Sequence, residues 1–234
     1  MNKGLSIKDL ENLSGIKAHT IRMWEKRYNI LDPKRTNTNI RYYDTQDLVK
    51  LLNITSILDS GMRISKVSAL TKDEINQQIL EIKSENIHGA KKIIVNELIG
   101  ATLQCDAISF ESTFISYRSQ YGFEATIEDI LYPLLIRIGL MWTVSKLNPS
   151  QEHFTSQLIK QKLFSAINEL PLVASKRKFL LYLPEKEDHE IGLLYAYYLI
   201  KKSGYQTIYL GPSVPLVDVI ECAKNSEATE ILCA

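Results

Sequence analysis

Six residues near the C-terminal end have types and spacing that could do chemistry: Glu187, Asp188, His189, Glu190, Ile191 and Gly192. An imidazole flanked by carboxylates can give one ring nitrogen to a metal while a carboxylate holds the other. No second His or Cys stands near His189, and zinc would need more protein ligands than this stretch supplies. His189 reads either as a lone axial ligand to a metal already held by a macrocycle or as an ordinary solvent-exposed loop histidine. A second set lies upstream, where Trp142 is followed, after nine intervening residues, by Glu152 and His153. Pro149 opens a new helix, so these three side chains could converge at one end of a helical bundle. The alternative places Trp142 in a core and His153 on an exposed helix face. The third set is basic: residues 17–42 hold seven Lys/Arg and two Asp/Glu, a density suited to phosphate contacts.

The elements that must position these groups follow from periodicity and caps. Ser6, with Asp9 three residues on, caps a helix over 7–13. Leu13-Ser14-Gly15-Ile16 is a tight turn, and a second helix runs from about Ala18 to Tyr28. Helix, short turn with Gly, helix is the helix-turn-helix pattern. Its second helix displays Lys17, His19, Thr20, Arg22, Lys26 and Arg27, with Ile21 and Trp24 on the apolar side. The polar stretch 33–39 reads as a loop or β-wing and adds Lys34, Arg35 and Arg41. Asp44 and Asp47 open a third helix to about Leu58, and a short fourth covers 65–70. Thr71 with Glu74 forms a capping box whose helix fades at 84–89. Helices over 90–104, 106–120, 124–142 and 150–170 make a four-helix bundle; in the third, Ile127, Ile130, Leu131, Leu134, Leu135, Ile138 and Met141 recur at helical spacing. Strands over 178–183 and 205–210, helices over 190–202 and 216–225, a loop over 211–215 and a third strand from Glu230 give a parallel, Rossmann-like sheet. His189 then falls at the carboxyl end of a strand, where such folds bind ligands.

Composition sets the bounds. The chain has 234 residues, 45% hydrophobic and 24% charged, with net charge +1, enough for two or three soluble domains. Residues 1–73 carry net +5 and the remainder net −4, so only the head is expected to meet an anion. No run of eighteen apolar residues is present, which argues against a membrane span, and the N-terminus lacks an apolar signal core. The scattered Cys105, Cys222 and Cys233 fit a reducing cytoplasm and read as buried small apolar residues. The expected fold class is multidomain α and α/β. It comprises a winged helix-turn-helix over 1–73, a four-helix bundle over 74–172 and a partial Rossmann-like (flavodoxin-like) sheet over 173–234. Paired carboxylates, a nucleophile–base pair and a phosphate loop are all missing, so an enzyme is not expected.

Certain residues also carry a resemblance. Ser6-Ile7-Lys8-Asp9-Leu10, Leu13-Ser14-Gly15-Ile16, Thr20-Ile21-Arg22-Met23-Trp24-Glu25-Lys26-Arg27-Tyr28 and Arg41-Tyr42-Tyr43 resemble the MerR family's DNA-binding domain over residues 5–70. The resemblance implies that the helix near 18–28 enters the major groove and that Arg41 and Tyr42 grip phosphate. The family's long dimerisation helix and the paired cysteines of its metal sensors are not found, which disfavours metal sensing. Glu-x-His-x-x-Gly at 187–192 resembles the cobalamin-binding signature, and the Trp–Glu-His set at 142–153 resembles the helical cap of the cobalamin-dependent, MerR-type photoreceptor repressors (the CarH/LitR type). It implies Trp142, Glu152 and His153 on the upper, adenosyl side of the cofactor, and His189, with Glu187 and Gly192, on the lower side, His189 being the axial cobalt ligand.

Two departures accompany this resemblance. Thr143 stands where light-sensing members have a His, which puts light sensing in question. The chain also stops in a third strand, without the family's later Ser-x-Leu and Gly-Gly motifs, from which a fragment or truncated gene product is expected. The resemblance thus implies a cytoplasmic repressor of double-stranded operator DNA, a dimer or tetramer governed by adenosylcobalamin held between bundle and sheet. The alternative is a MerR-type regulator whose vestigial, cobalamin-free sensor domain binds a partner protein.

Overall fold

The computed structural model of the chain describes residues 4–85, 87–143 and 147–233. It divides into two compact units, the first ending at Phe154 and the second starting at Thr155.

The first unit begins with α1 (Ile7–Ser14) and α2 (Ala18–Tyr28). At α1 the Ser6 side chain accepts from the Asp9 N–H while the Asp9 carboxylate accepts from the Ser6 N–H, the expected capping box. Gly15 ends the helix with φ +77°, a left-handed conformation that a Cβ would strain. Two short antiparallel strands, β1 (Lys34–Arg35) and β2 (Arg41–Tyr42), form the wing. Leu5 and Tyr43 exchange main-chain hydrogen bonds at 2.8 Å and tie the N-terminus to its base. The head is completed by α3 (Thr45–Asp59), capped reciprocally by Asp44 and Asp47, and by the single turn α4 (Ile64–Val67). Leu10, Ile21, Trp24, Tyr43, Leu48 and Leu51 are buried in its core.

The helix α5 (Lys72–Glu85) is followed by α6 (Ile87–Gln104). It lies against α6 and α3 of its own chain, with Lys83 Nζ 2.7 Å from Glu97 Oε1. The head meets α6 through α3: Asn96 Nδ2 donates to Leu52 O and Ser56 Oγ, and Lys92 pairs with Asp59. Gly100 lets these helices approach, because an added Cβ there would come 3.3 Å from Val49. Next come α7 (Ala107–Tyr121), α8 (Phe123–Thr126), a π-helical turn over Ile127–Leu131, and α9 (Tyr132–Thr143). Of the seven apolar residues at helical spacing, six are buried and Leu135 is half-buried. The first turn of α10 (Pro149–Glu169) joins this unit where Gln151 Nε2 donates to Leu103 O at 2.7 Å.

The second unit contains the remainder of α10 followed by β3 (Lys178–Pro184), α11 (Ile191–Lys202), β4 (Gln206–Val214), α12 (Leu216–Ser226) and β5 (Glu230–Cys233). The sheet is parallel, in the order β4-β3-β5. Moving outward from β3 first to one side and then to the other, with right-handed crossovers, places the two connecting helices on opposite faces. Alternation along β3 matches this. Leu180 and Tyr182 pack with Val219 of α12, whereas Leu181 and Leu183 pack with Leu193 of α11. The architecture is the expected multidomain one.

Four expectations need correction. The single helix over 124–142 is interrupted by the π turn. Pro133 has no N–H for the carbonyl four residues back and its ring crowds that group; a π turn just before it absorbs the mismatch. The first bundle helix starts at Ile87 rather than 90. The loop over 211–215 is largely strand. β4 runs on to Val214 through register shifts opposite Tyr182 and Pro184, with Gly211 and Ser213 at positive φ, as bulged strands allow. The cysteines are not buried: Cys105, which directly follows α6 with φ 51°, and Cys233 are exposed and Cys222 is half-buried.

Candidate nucleic-acid interface and cofactor loop

In the head, burial of Ile21 and Trp24 turns the opposite side of α2 outward. Lys17, His19, Arg22, Lys26 and Arg27 are exposed and Thr20 is half-exposed. Arg22 and Lys26 make no hydrogen bond or ion pair among the described residues. Lys17 lies 3.4 Å from Glu11, His19 Nε2 lies 3.3 Å from Thr20 Oγ1, and Arg27 sits over the Tyr28 ring. In the wing, Arg35 donates to Asn39 Oδ1 at 2.8 Å, and Lys34 pairs with Asp44 at 3.0 Å. Arg41 and Tyr42 are half-buried, with Arg41 Nε 3.6 Å from Glu25.

Sequence reasoning gave Glu25 no role. Its carboxylate, 8% exposed, also accepts from the buried Tyr43 hydroxyl. Glu25 thus joins α2 to the residue that follows β2, fixing helix and wing as one surface. Burial, and next the Glu25 bond, push the Tyr43 phenol above its ordinary value. A solitary carboxylate in an otherwise basic helix was the signal available.

In the second unit, His189 lies in the turn between β3 and α11, at the carboxyl end of the central strand. Its side chain is 94% exposed, and its Nδ1 lies 2.6 Å from Glu187 Oε1, which also accepts the His189 main-chain N–H at 2.8 Å. Those two bonds, the main-chain one foremost, hold the Glu187 carboxyl below its usual range. A carboxylate on Nδ1 selects the tautomer whose Nε2 lone pair is open to a metal. An added Cβ at Gly192, in the first turn of α11, would meet nothing within 4 Å, so space is open beside the ring's own loop.

This loop is held at both ends. Ser213 Oγ accepts from the Lys186 N–H, and the Ser213 N–H donates to Glu187 O, both at 3.1 Å. Glu190 accepts from the Tyr209 hydroxyl at 2.6 Å and pairs with Lys160 of α10 at 2.9 Å. The sequence marked Glu190 only as an acidic neighbour of the imidazole, yet it bonds away from His189 and anchors the loop. Among the described residues no group of three His, Cys, Asp or Glu side chains could hold a metal ion. A metal at His189 would therefore have to bring its other ligands with it.

In the first unit, Trp142 stands in the last turn of α9 and is 48% exposed. It is not the core residue its size suggested. Glu152 and His153 occupy the first turn of α10 and pair with one another, His153 Nδ1 to Glu152 Oε2, at 2.7 Å. A cleft of about 850 Å3 opens among α3, α5, α6 and α7 and is lined by none of the residues expected to bind DNA or cofactor. No described helix is long and apolar enough to cross a membrane.

Residues 5–74 match the family described as MerR HTH family regulatory protein, and residues 94–165 match the B12 binding domain. The HTH-type transcriptional repressor CarH of Myxococcus xanthus is 28% identical over 211 residues, 88% of this chain and 70% of that protein. The HTH-type transcriptional repressor CarA of the same organism is 25% identical over 213 residues, 90% of this chain and 69% of that protein. The HTH-type transcriptional regulator GlnR of Bacillus anthracis is 32% identical over 97 residues, 39% of this chain and 72% of that protein. The chain belongs to the MerR HTH family of regulatory proteins, as a member that carries a B12-binding domain. At that level it is a DNA-binding transcriptional regulator.

Proposed function

We propose that this protein is a repressor whose grip on double-stranded DNA is set by adenosylcobalamin. The observation that carries the cofactor reading is the imidazole of His189: exposed, oriented by Glu187 through Nδ1, and mounted on an anchored loop at the end of a parallel strand. The residues present fit the group. His189 would ligate the cobalt through Nε2, which Glu187, holding Nδ1, would direct toward it, and the open space at Gly192 would leave room for the macrocycle. The exposed ring of Trp142 is apolar surface suited to the adenosyl side, with Glu152 and His153 as the polar groups of that cap. Bound adenosylcobalamin would supply a breakable cobalt–carbon bond as the signal.

For DNA, α2 would enter the major groove, with Lys17, His19, Thr20, Arg22, Lys26 and Arg27 toward bases and phosphates, and the wing would follow the backbone with Arg35, Arg41 and Tyr42. Homo-oligomers in the cytoplasm would occupy two or more half-sites at once, so assembly would multiply affinity. Thr143, in place of a second imidazole, weighs against light as the input. It is also the observation behind a second reading, a sensor that has lost cobalamin and binds a partner protein.

The test is an absorption spectrum in the dark of the protein mixed with adenosylcobalamin and desalted, beside His189→Ala. A histidine-ligated spectrum lost in the variant supports the cofactor reading, and the same sample can then be illuminated. Wild-type protein that keeps no cobalamin overturns it, while uptake indifferent to His189 overturns the ligand assignment.

A further inference from the structure

We infer that Arg137 is the positioning residue that orients the DNA-binding head against the helical part of its own unit. Arg137 lies on α9, half-buried, and its Nη2 donates to Leu13 O at 2.6 Å. Leu13 is in the last turn of α1, where main-chain carbonyls lose their helical partners and the helix end carries partial negative charge. Among the described residues Arg137 makes no ion pair with a carboxylate. Burial lowers its pKa, yet a guanidinium stays charged at any ordinary pH.

A half-buried cation answered by one helix end is a poor way to gain stability, since an apolar residue of similar size would cost less desolvation. What a planar, directional donor adds is a fixed angle between α9 and α1. Only Gly15–Lys17 separates α1 from α2, so fixing α1 also fixes α2. The head is then held by α1 on α9 as well as by α3 on α5 and α6.

The hold through Arg137 lies on the helix whose last turn carries Trp142, five residues from Arg137 and about 7.5 Å farther along its axis. That helix follows the π turn over Ile127–Leu131, and conversion of one extra π residue to α form would rotate everything after it by about 100°. A change at Trp142 that shifts α9 therefore reaches the head through Arg137. The inference rests on the proposed reading that α2 binds DNA and that Trp142 faces the cofactor.

The test uses the full chain with Arg137→Ala and Arg137→Lys. Hydrogen exchange without DNA should show the α1–α2 amides opening about tenfold faster in the alanine variant, the loss of one charge-assisted hydrogen bond. Amides of α3 and α6 should be unchanged, and lysine should restore part of the protection. On duplexes selected from a random pool, Arg137→Ala should bind a single half-site like wild type and a paired half-site about tenfold more weakly. Equal losses on both duplexes, or unchanged exchange in α1–α2, overturn the inference. Should wild type bind neither duplex, the DNA reading falls, and the exchange result alone decides for or against Arg137.

Discussion

Replacing Tyr43 by Phe tests how α2 is joined to the wing. The ring is fully buried, so Phe keeps its volume and the substitution removes only the hydroxyl that donates to Glu25. The acceptor is a carboxylate 8% exposed, whose other described partner is Arg41 at 3.6 Å. Loss of a hydrogen bond to a charged group costs about 1.5–3 kcal/mol, and about 2 kcal/mol is expected here because Arg41 still offsets part of the charge. The assay is urea unfolding followed by the fluorescence of Trp24, which is buried in α2, in a Trp142→Phe background so that one indole reports. With a urea slope of about 2 kcal/mol/M the midpoint should fall by about 1 M.

The same bond predicts a pH dependence. Tyr43 has its phenol raised above the ordinary value of 10.0 in the folded state. Its contribution is therefore complete below pH 10 and is lost as pH rises above it. The stability gap between the parent protein and its Tyr43→Phe variant should narrow above pH 10. A gap under about 0.5 kcal/mol at neutral pH, against the range expected for such a bond, or parallel alkaline profiles, would refute the coupling of helix to wing.

Asp44→Ala removes the cap of α3 and the partner of Lys34, and should cost about 0.5–2 kcal/mol by thermal unfolding. Main-chain and Lys34 bonds hold the Asp44 carboxyl below 3.8, so its contribution should be present above that pH and fade as pH falls below it; an acid limb identical in the variant would contradict this. Phe110→Ala, at a fully buried bundle position, should cost about 3–5 kcal/mol in the same measurement. Glu190→Gln keeps its shape but leaves Lys160 without its carboxylate and weakens the Tyr209 bond. Exchange of the 185–190 amides should quicken while β3 stays protected, and equal protection in both proteins would show that Ser213 alone holds the loop.

Elements that advertise themselves locally were legible. The Ser6–Asp9 and Asp44–Asp47 caps, Gly15 and the alternation of strands with helices each follow from side chains near in sequence. The π turn was not legible, because periodicity over 124–142 is satisfied by either helix form and only Pro133 hints at the difference. The extension of β4 past Gly211 was hidden for a related reason: Gly-Pro-Ser reads as a turn, and only pairing with β3 makes it strand. In the candidate sites the exposed basic residues and the His189 loop could be named from the chain alone. Glu25–Tyr43, Lys160–Glu190 and Arg137–Leu13 could not, because each joins residues brought together by tertiary structure.

The order β4-β3-β5 has a consequence for how the sheet is made. Its central strand is the first of the three to be synthesised, and that strand carries inward-facing residues for both faces, Leu180 and Tyr182 on one, Leu181 and Leu183 on the other. Each later strand arrives after a single crossover and finds its pairing edge already present. The sheet can thus assemble outward in the direction of translation, without any strand having to be inserted between two that have already met. The cost falls on heredity: a substitution within Leu180–Leu183 can disturb the core facing α11 or the one facing α12 through the one strand that serves both, so this short stretch has less freedom to drift than either of its neighbours.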